Sequence, residues 1–279
     1  MRFLTCVGVR RGRRPPSLWI TSGLVKRPLL RLAARARLLG PAFRAYERAL
    51  ALRGRRLRTG PDGLPVPPPD LIVRVAGTAD VAWFLEGGRL GYESVRAHVP
   101  ADGLTSVLDF GCGCGRVTRY WRDFAGSISG SDLSVEAVAW CSQNLPFGRF
   151  ERNGLEPPLT FADGSFDLVY GLSVFTHLTV DTQRRWLGEL RRVLRPGGSL
   201  LLTTHGESYA DRLEPDERAR FGAGEIVVRW QEVAGSNLCA AYHPAGSLAL
   251  LAAGFEEVAH VEEGAQGNPH QDVHVFRRQ

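Results

Sequence analysis

From Ser106 onward, short apolar runs alternate with stretches of helical periodicity, and this alternation constrains the fold more than any other feature of the chain. SVLDF (106–110), SISGSD (127–132), FDLVYGLSVF (166–175) and SLLLTT (199–204) read as strands. Between them GRVTRYWRDF (115–124), VEAVAWCSQNL (135–145) and DTQRRWLGELRRVL (181–194) read as helices, the last ending at RPGG. Strands without polar alternation, separated by helical segments, form a parallel sheet covered on both faces. Ligands of such sheets bind beyond the carboxyl ends of the strands.

The turn after the first strand lies at that edge. It reads Asp109-Phe-Gly111-Cys-Gly113-Cys-Gly115, and glycine serves where backbone approaches a ligand closely or takes positive φ. A dinucleotide fingerprint would need glycine at position 116, where the chain has Arg116. The acid two residues before the first glycine suits a cationic ligand group. At the end of the second strand stands Asp132, in GSDLS. A carboxylate there can accept two hydrogen bonds from a ribose diol, each worth roughly 1.5–3 kcal/mol. Its competing role is a cap for the following helix, for which Ser134 is the rival. A third stretch, Asn153 to Leu178, carries a turn at Ala162-Asp163-Gly164 before an apolar strand that emerges at Ser173 to His177.

These motifs resemble those of class I S-adenosylmethionine-dependent methyltransferases, over roughly residues 104–204. VLDFGCGCG is similar to that family's first motif, GSDLS to its acidic second-strand end, FADGSFDLVYGLSVFTHL to its fourth strand and LRPGGSLLLTT to its fifth. The resemblance implies a Rossmann-like α/β sheet of seven strands, mostly parallel with an antiparallel last strand, and helices on both faces. LALLAAGFEEVAHVEE and QDVHVFRR supply the closing helix and two strands. It also implies the cofactor S-adenosyl-L-methionine and its seat. Asp109 would lie near the ammonium, the backbone of Gly111, Gly113 and Gly115 along the methionine portion, Asp132 at the ribose and Leu133 along the adenine. Asn153 would meet the adenine edge with Gly154 beside it, and Ser173 would end the fourth strand next to the cofactor.

The methyl acceptor is much less legible. An alcohol needs a general base near neutral pH, for which histidine suits. His177, His205 and His243 are the candidates, and none is assigned. Residues 207–244 read as an insertion with an acidic helical part and a hairpin, either covering the acceptor pocket or forming a structural lobe. Trp230, Tyr242 and His243 are its candidates to line that pocket.

Charge divides the chain. Residues 1–60 hold fifteen Arg, Lys26 and a single acid, Glu47; with a net charge of +6 overall, the remainder carries −9. The sequence from Leu29 to Arg58 alternates arginine with leucine and alanine at helical spacing. Residues 1–58 therefore read as a basic amphipathic helical extension, 59–80 as a proline-rich linker, and 81–279 as the methyltransferase domain, opening on a glycine-interrupted helix from Val81 to Val99. The extension either meets anionic lipid or a protein partner, or packs its leucines on the domain. The opening MRFLTCV, followed by RRGRRPP, is too short for a secretory signal, and no run of 18 apolar residues exists to span a membrane. Five cysteines in no disulfide pattern fit a reducing, cytoplasmic setting. Cys112-Gly-Cys114 lacks a second ligand pair, so no metal is expected.

The expectation is O-methylation of a small molecule or glycan by in-line displacement. The alternatives are an NAD(P)-dependent oxidoreductase, disfavoured by Arg116, and a non-catalytic cofactor-binding subunit. The strand ending in YGLSVF lacks the Pro-Pro-aromatic run of amino-methylating DNA enzymes, so no DNA partner is expected.

Overall fold

The computed structural model describes residues 38–100, 102–268 and 271–279. The seven strands of the main sheet are β1 (Ser106–Phe110), β2 (Ser127–Asp132), β3 (Gly148–Arg152), β4 (Phe166–Gly171), β5 (Leu194–Thr204), β8 (Phe255–Ala265) and β9 (Gln271–Arg278). Their order across the sheet is β3-β2-β1-β4-β5-β9-β8. β1 to β5 are mutually parallel, and β9 runs antiparallel to both β5 and β8. This is the expected fold class, and the order reverses beside β1, where β2 turns to one side and β4 to the other.

Pleating sends alternate residues into two cores. Leu108, Phe110, Val169, Leu200, Leu202 and Phe276 pack on one face against Trp186, Leu187 and Leu190. These three lie on one side of α5 (Val180–Val193), whose Thr179 caps its N-terminus. Val107, Leu168, Tyr170, Leu201 and Val273 pack on the other face, against Trp121 and against Val95 and Val99 at the end of α3 (Val81–His98). Burying an aromatic such as Trp186, 1% exposed, removes roughly 200 Å² from water, about 5 kcal/mol before the entropic cost.

Several expectations change on the structure. GRVTRYWRDF holds only a 3₁₀ turn, Thr118–Trp121. Arg119 there is 1% exposed and reaches away to Asp62 at 2.6 and 2.9 Å, which a regular helix facing solvent would not allow. The segment 59–80 is no linker. Arg119 fixes its Asp62, and Pro69–Ala76 forms a helix, α2, with proline in its first turn, where a missing N–H costs nothing. Leu71 and Ile72 of α2 are buried with Phe84, Leu85, Cys114 and Ala137. The expected interruption between Val81 and Val99 is likewise absent, because α3 is continuous: its glycines let neighbouring chain approach closely, and a Cβ on Gly88 would lie 2.0 Å from the Arg116 carbonyl oxygen.

Of the basic extension, residues before 38 lie outside the described residues. The rest forms α1 (Leu39–Ala51), with Gly40-Pro41 in its first turn, and is irregular from Gly54. The 207–244 stretch folds as a 3₁₀ turn Glu207–Arg212, α6 (Pro215–Gly222) and a small antiparallel pair, β6 (Val227–Arg229) with β7 (Ala240–Tyr242). It has its own core of Tyr209, Leu213, Phe221, Val227 and Tyr242. Helix α4 (Val135–Asn144) follows β2, and α7 (Ser247–Leu251) precedes β8.

Candidate active site

At the carboxyl edge of the sheet lies a cavity of about 470 Å³, a size typical of small-ligand sites. Asp109, Gly111, Gly113, Asp132, Leu133, Asn153, Gly154 and Ser173 all line it. Its floor is the turn after β1, where Gly111 and Gly113 adopt φ of 77° and 53°. A side chain at Gly113 would meet Val75 Cγ2 at 2.5 Å, and one at Gly111 would meet Val174 Cγ2 at 2.3 Å. Glycine is thus required twice over, by conformation and by space. Gly115 does not line the cavity; it faces Leu145 and Cys141 of the α4 layer.

Asp132 ends β2 with each carboxylate oxygen partly engaged. Gly113 N–H donates to Oδ2 at 2.9 Å and Ser134 N–H to Oδ1 at 2.8 Å. Burial raises its pKa, and these two N–H donors oppose the rise. A carboxylate has about four acceptor sites, so a vicinal diol still finds a lone pair on each oxygen. Ser134 caps α4, which frees Asp132 from that duty. Asn153 presents an equally clear opening. Its Nδ2 donates to the Gly154 carbonyl, while its Oδ1 is buried on the cavity wall without a partner. An orphaned acceptor of this kind costs about 1–3 kcal/mol unless a ligand donor meets it. The acceptor pair at Asp132, the orphan at Asn153 and the backbone cradle between them fit a nucleoside bearing a chain along the glycine turn.

Asp109 is 4% exposed and accepts from the Thr118 hydroxyl at 2.5 Å. Burial pushes its pKa up to about 7, against the hydrogen bond from Thr118. Near neutral pH it is poised between acid and carboxylate, and a nearby cation favours the charged form.

Across the cavity stand two histidines. His177 follows β4 in a 3₁₀ turn, and its Nδ1 lies 2.7 Å from the Cys239 carbonyl. His205 follows β5, with Nδ1 3.1 Å from the Ala241 carbonyl. A carbonyl only accepts, so both rings carry the proton on Nδ1 and leave Nε2 as a base. Burial lowers the pKa of His177; it lowers that of His205 much further, helped by His177 and His243. The Tyr209 ring lies against His205, tilted by 31° with centroids 4.2 Å apart.

His243 is not in this wall. It is 2% exposed, and its Nε2 lies 3.0 Å from Gln183 Oε1. Gln183 spends its amide N–H groups on the Phe175 and Leu178 carbonyls, so His243 is the donor and its pKa falls to about 3 through burial. It is a packing residue. Trp230 and Tyr242 also miss the cavity; Tyr242 packs in the core of the inserted lobe. From the insertion, Tyr209, Gly235 and Asn237 line the cavity instead.

Sequence reasoning missed further contributors. Gln271 joins a ring in which Thr203 Oγ1 donates to Gln271 Oε1 (2.7 Å), Gln271 Nε2 donates to Ser173 Oγ (2.8 Å), and Ser173 N–H donates to Thr203 Oγ1 (2.7 Å). The ring holds Ser173 at φ 62°, a left-handed conformation that costs a non-glycine residue energy. Arg116 is 8% exposed, stacked on Trp83 at 4.7 Å and bonded to the Gly267 carbonyl at 2.8 Å. Leu71, Val75 and Gly77 wall the cavity from α2. Polar residues straight after a glycine turn were a usable signal for Arg116; nothing local marks the others.

Comparison with known proteins decides the family. Residues 108–202 match the family model described as a methyltransferase domain. They form a class I S-adenosylmethionine-dependent methyltransferase domain. The domain is similar to malonyl-[acyl-carrier protein] O-methyltransferase of Pectobacterium atrosepticum, 36% identical over 143 residues, covering 50% of this chain and 53% of the relative. It is also similar to the enzyme of that name from Enterobacter lignolyticus, 34% identical over 119 residues, covering 42% and 45%. The chain thus spans about half the length of these curated relatives. A solved methyltransferase structure from Mesorhizobium loti shares the fold, with TM-score 0.53 and 20% identity over 68% of this chain and 98% of that one. The methyltransferase domain binds S-adenosylmethionine as its cofactor. No helix among the described residues is long and apolar enough to cross a membrane.

Proposed function

We propose that the protein methylates an oxygen atom of a small molecule or glycan, with His177 as general base. The observation that carries this reading is the neutral, Nδ1-protonated imidazole of His177 in the same cavity as the glycine turn and Asp132. S-adenosylmethionine, when bound, supplies a methyl group activated by a sulfonium. Asp132 would hold the ribose diol, Asn153 Oδ1 the adenine edge, Leu133 the ring face, and Asp109 the ammonium, with Ser173 beside the methionine portion. In-line displacement depends mostly on alignment of the reacting atoms, which the glycine turn and the Ser173–Gln271–Thr203 ring make rigid.

His177 would take the acceptor's proton. Its lowered pKa keeps it unprotonated at neutral pH, and His205, lowered further, is the weaker base of the two. Tyr209, lying against His205, would offer a ring face to the acceptor. The turn after β1 opens into a short 3₁₀ segment, so there is no helix N-terminus to seat a pyrophosphate. This argues against a dinucleotide cofactor.

The relatives named for malonyl-[acyl-carrier protein] O-methylation make a carboxylate on a carrier one acceptor to try. The test is transfer of labelled methyl from S-adenosylmethionine into an extract divided into glycan, lipid, nucleic-acid, carrier-protein and small-molecule fractions. Label in the glycan or small-molecule fraction, attached through oxygen, is the expected result. Label only on nucleic acid would overturn the reading. Tight S-adenosylhomocysteine binding with no label in any fraction would favour a non-catalytic role.

A further inference from the structure

Outside the cavity, the least explained surface is that of α1 and the turn after it. Arg44, Arg48, Arg53, Arg55, Arg56 and Arg58 are all exposed, and none of them makes an ion pair among the described residues. Between them, Leu38, Leu52 and Leu57 are 57%, 88% and 47% exposed. The stretch carries one acid, Glu47, whereas residues 61–279 together carry a net charge of −9.

We propose that this surface docks the protein on an anionic lipid bilayer, beyond and independent of the methyl-transfer reading. Exposed leucine beside arginine is the pattern an interface selects: leucine enters the acyl region while guanidinium groups stay at the phosphates on long apolar stems. Each basic residue close to an anionic leaflet adds roughly fivefold to partitioning. A nucleic acid would use the arginines but leave the three leucines in water. Residues 61–279, with their net charge of −9, are repelled by the same leaflet, which orients the domain with α1 toward the lipid. That orientation matters for the cavity. α1 packs on α2, whose Leu71, Arg74 and Val75 line it. Gly40 of α1 also lies against Val233, two residues before the cavity-lining Gly235. Docking thus sets the α2 wall of the cavity beside the headgroups.

The experiment is co-sedimentation of the full chain with vesicles of phosphatidylcholine alone or of phosphatidylcholine with phosphatidylglycerol at about 7:3. The expected partition is at least tenfold higher on the anionic vesicles and falls at least tenfold on raising the salt from about 50 to 300 mM. Replacing Arg53, Arg55, Arg56 and Arg58 together by Gln should lower it at least tenfold, and Leu52→Asp with Leu57→Asp at least fivefold. Equal partition on both vesicles, no partition, or variants that sediment like the parent would overturn the proposal. Loss of sedimentation to competing duplex DNA, with the leucine variant unaffected, would assign the surface to nucleic acid instead. Thermal stabilisation by S-adenosylhomocysteine, measured on every variant, checks that each is folded. Its absence in the parent chain would count against the methyltransferase reading and leave the vesicle result standing.

Discussion

The two walls of the cavity are built on different plans. The wall proposed for the cofactor comes from residues at the ends of β1 and β2, and much of its chemistry is backbone: the Gly111–Gly113 turn and the N–H groups that grip Asp132. The wall proposed for the acceptor joins His177, His205 and Tyr209, its histidines set by carbonyls of Cys239 and Ala241 in the inserted lobe. One wall is fixed by local conformation, the other by packing between distant segments. A site of the first kind has little freedom to vary without losing its ligand. The second kind can change its acceptor by repacking a lobe while the cofactor seat stays intact.

Four substitutions would break or sharpen this contrast. The largest effect is expected on the acceptor wall. His177→Gln should lower turnover by about 10²–10⁴-fold and leave S-adenosylhomocysteine affinity within twofold, as read by calorimetry beside steady-state rates. Unchanged turnover would remove His177 as the base. On the cofactor wall the pattern reverses: Asp132→Ala should weaken cofactor binding roughly 10–150-fold, the loss of about 1.5–3 kcal/mol in charged hydrogen bonding. An unaltered calorimetric affinity would sink the ribose assignment.

The third test uses pH. The Asp109 carboxyl titrates at about 7 in the folded protein, above its ordinary value of 3.8. The unfolded chain therefore releases this proton first, and the group penalises folding increasingly as pH rises from about 4 to 7. Asp109→Asn stays neutral throughout, so the ligand-free variant should gain several degrees of melting temperature over the parent at pH 8 and little at pH 4. Parallel melting curves across that range would contradict the assigned shift. The smallest effect belongs to the brace between the walls. Gln271→Ala should cost about 1–2 kcal/mol in urea unfolding by removing the acceptor of the Thr203 hydroxyl and the amide donor to Ser173 Oγ. If stability holds, the ring does not carry the strain at Ser173.

The cofactor wall and the sheet were legible because they obey local rules. Apolar runs mark the strands, and a glycine turn with an acid one strand later marks Asp109, Gly111, Gly113 and Asp132, which line the cavity. Gly115 lies off the cavity, because the same rule that demands glycine for a ligand also demands it for packing, here against Leu145. The 59–80 stretch was misread because its prolines mask a helix stabilised from outside, by the Arg119–Asp62 pair and by burial of Ile72. His243, Trp230 and Tyr242 sit near the cavity in sequence position, yet a hydrogen bond to Gln183 and the core of the inserted lobe hold His243 and Tyr242 out of it. Gln271 and Tyr209 gave no signal, since their roles exist only once β9 and the lobe have docked.

The placing of β9 has a consequence for biosynthesis. It is the last strand of the sheet to be made, and yet it lies in the interior, between β5 and β8. Among the described residues β8 has no other neighbour, so until residues 271–278 emerge it has no partner there, and Ser173 lacks the Gln271 amide. A nascent chain on the ribosome thus carries the whole glycine turn and Asp132 long before the chamber around them can close. The order of synthesis adds the Gln271 brace after every other strand of the sheet.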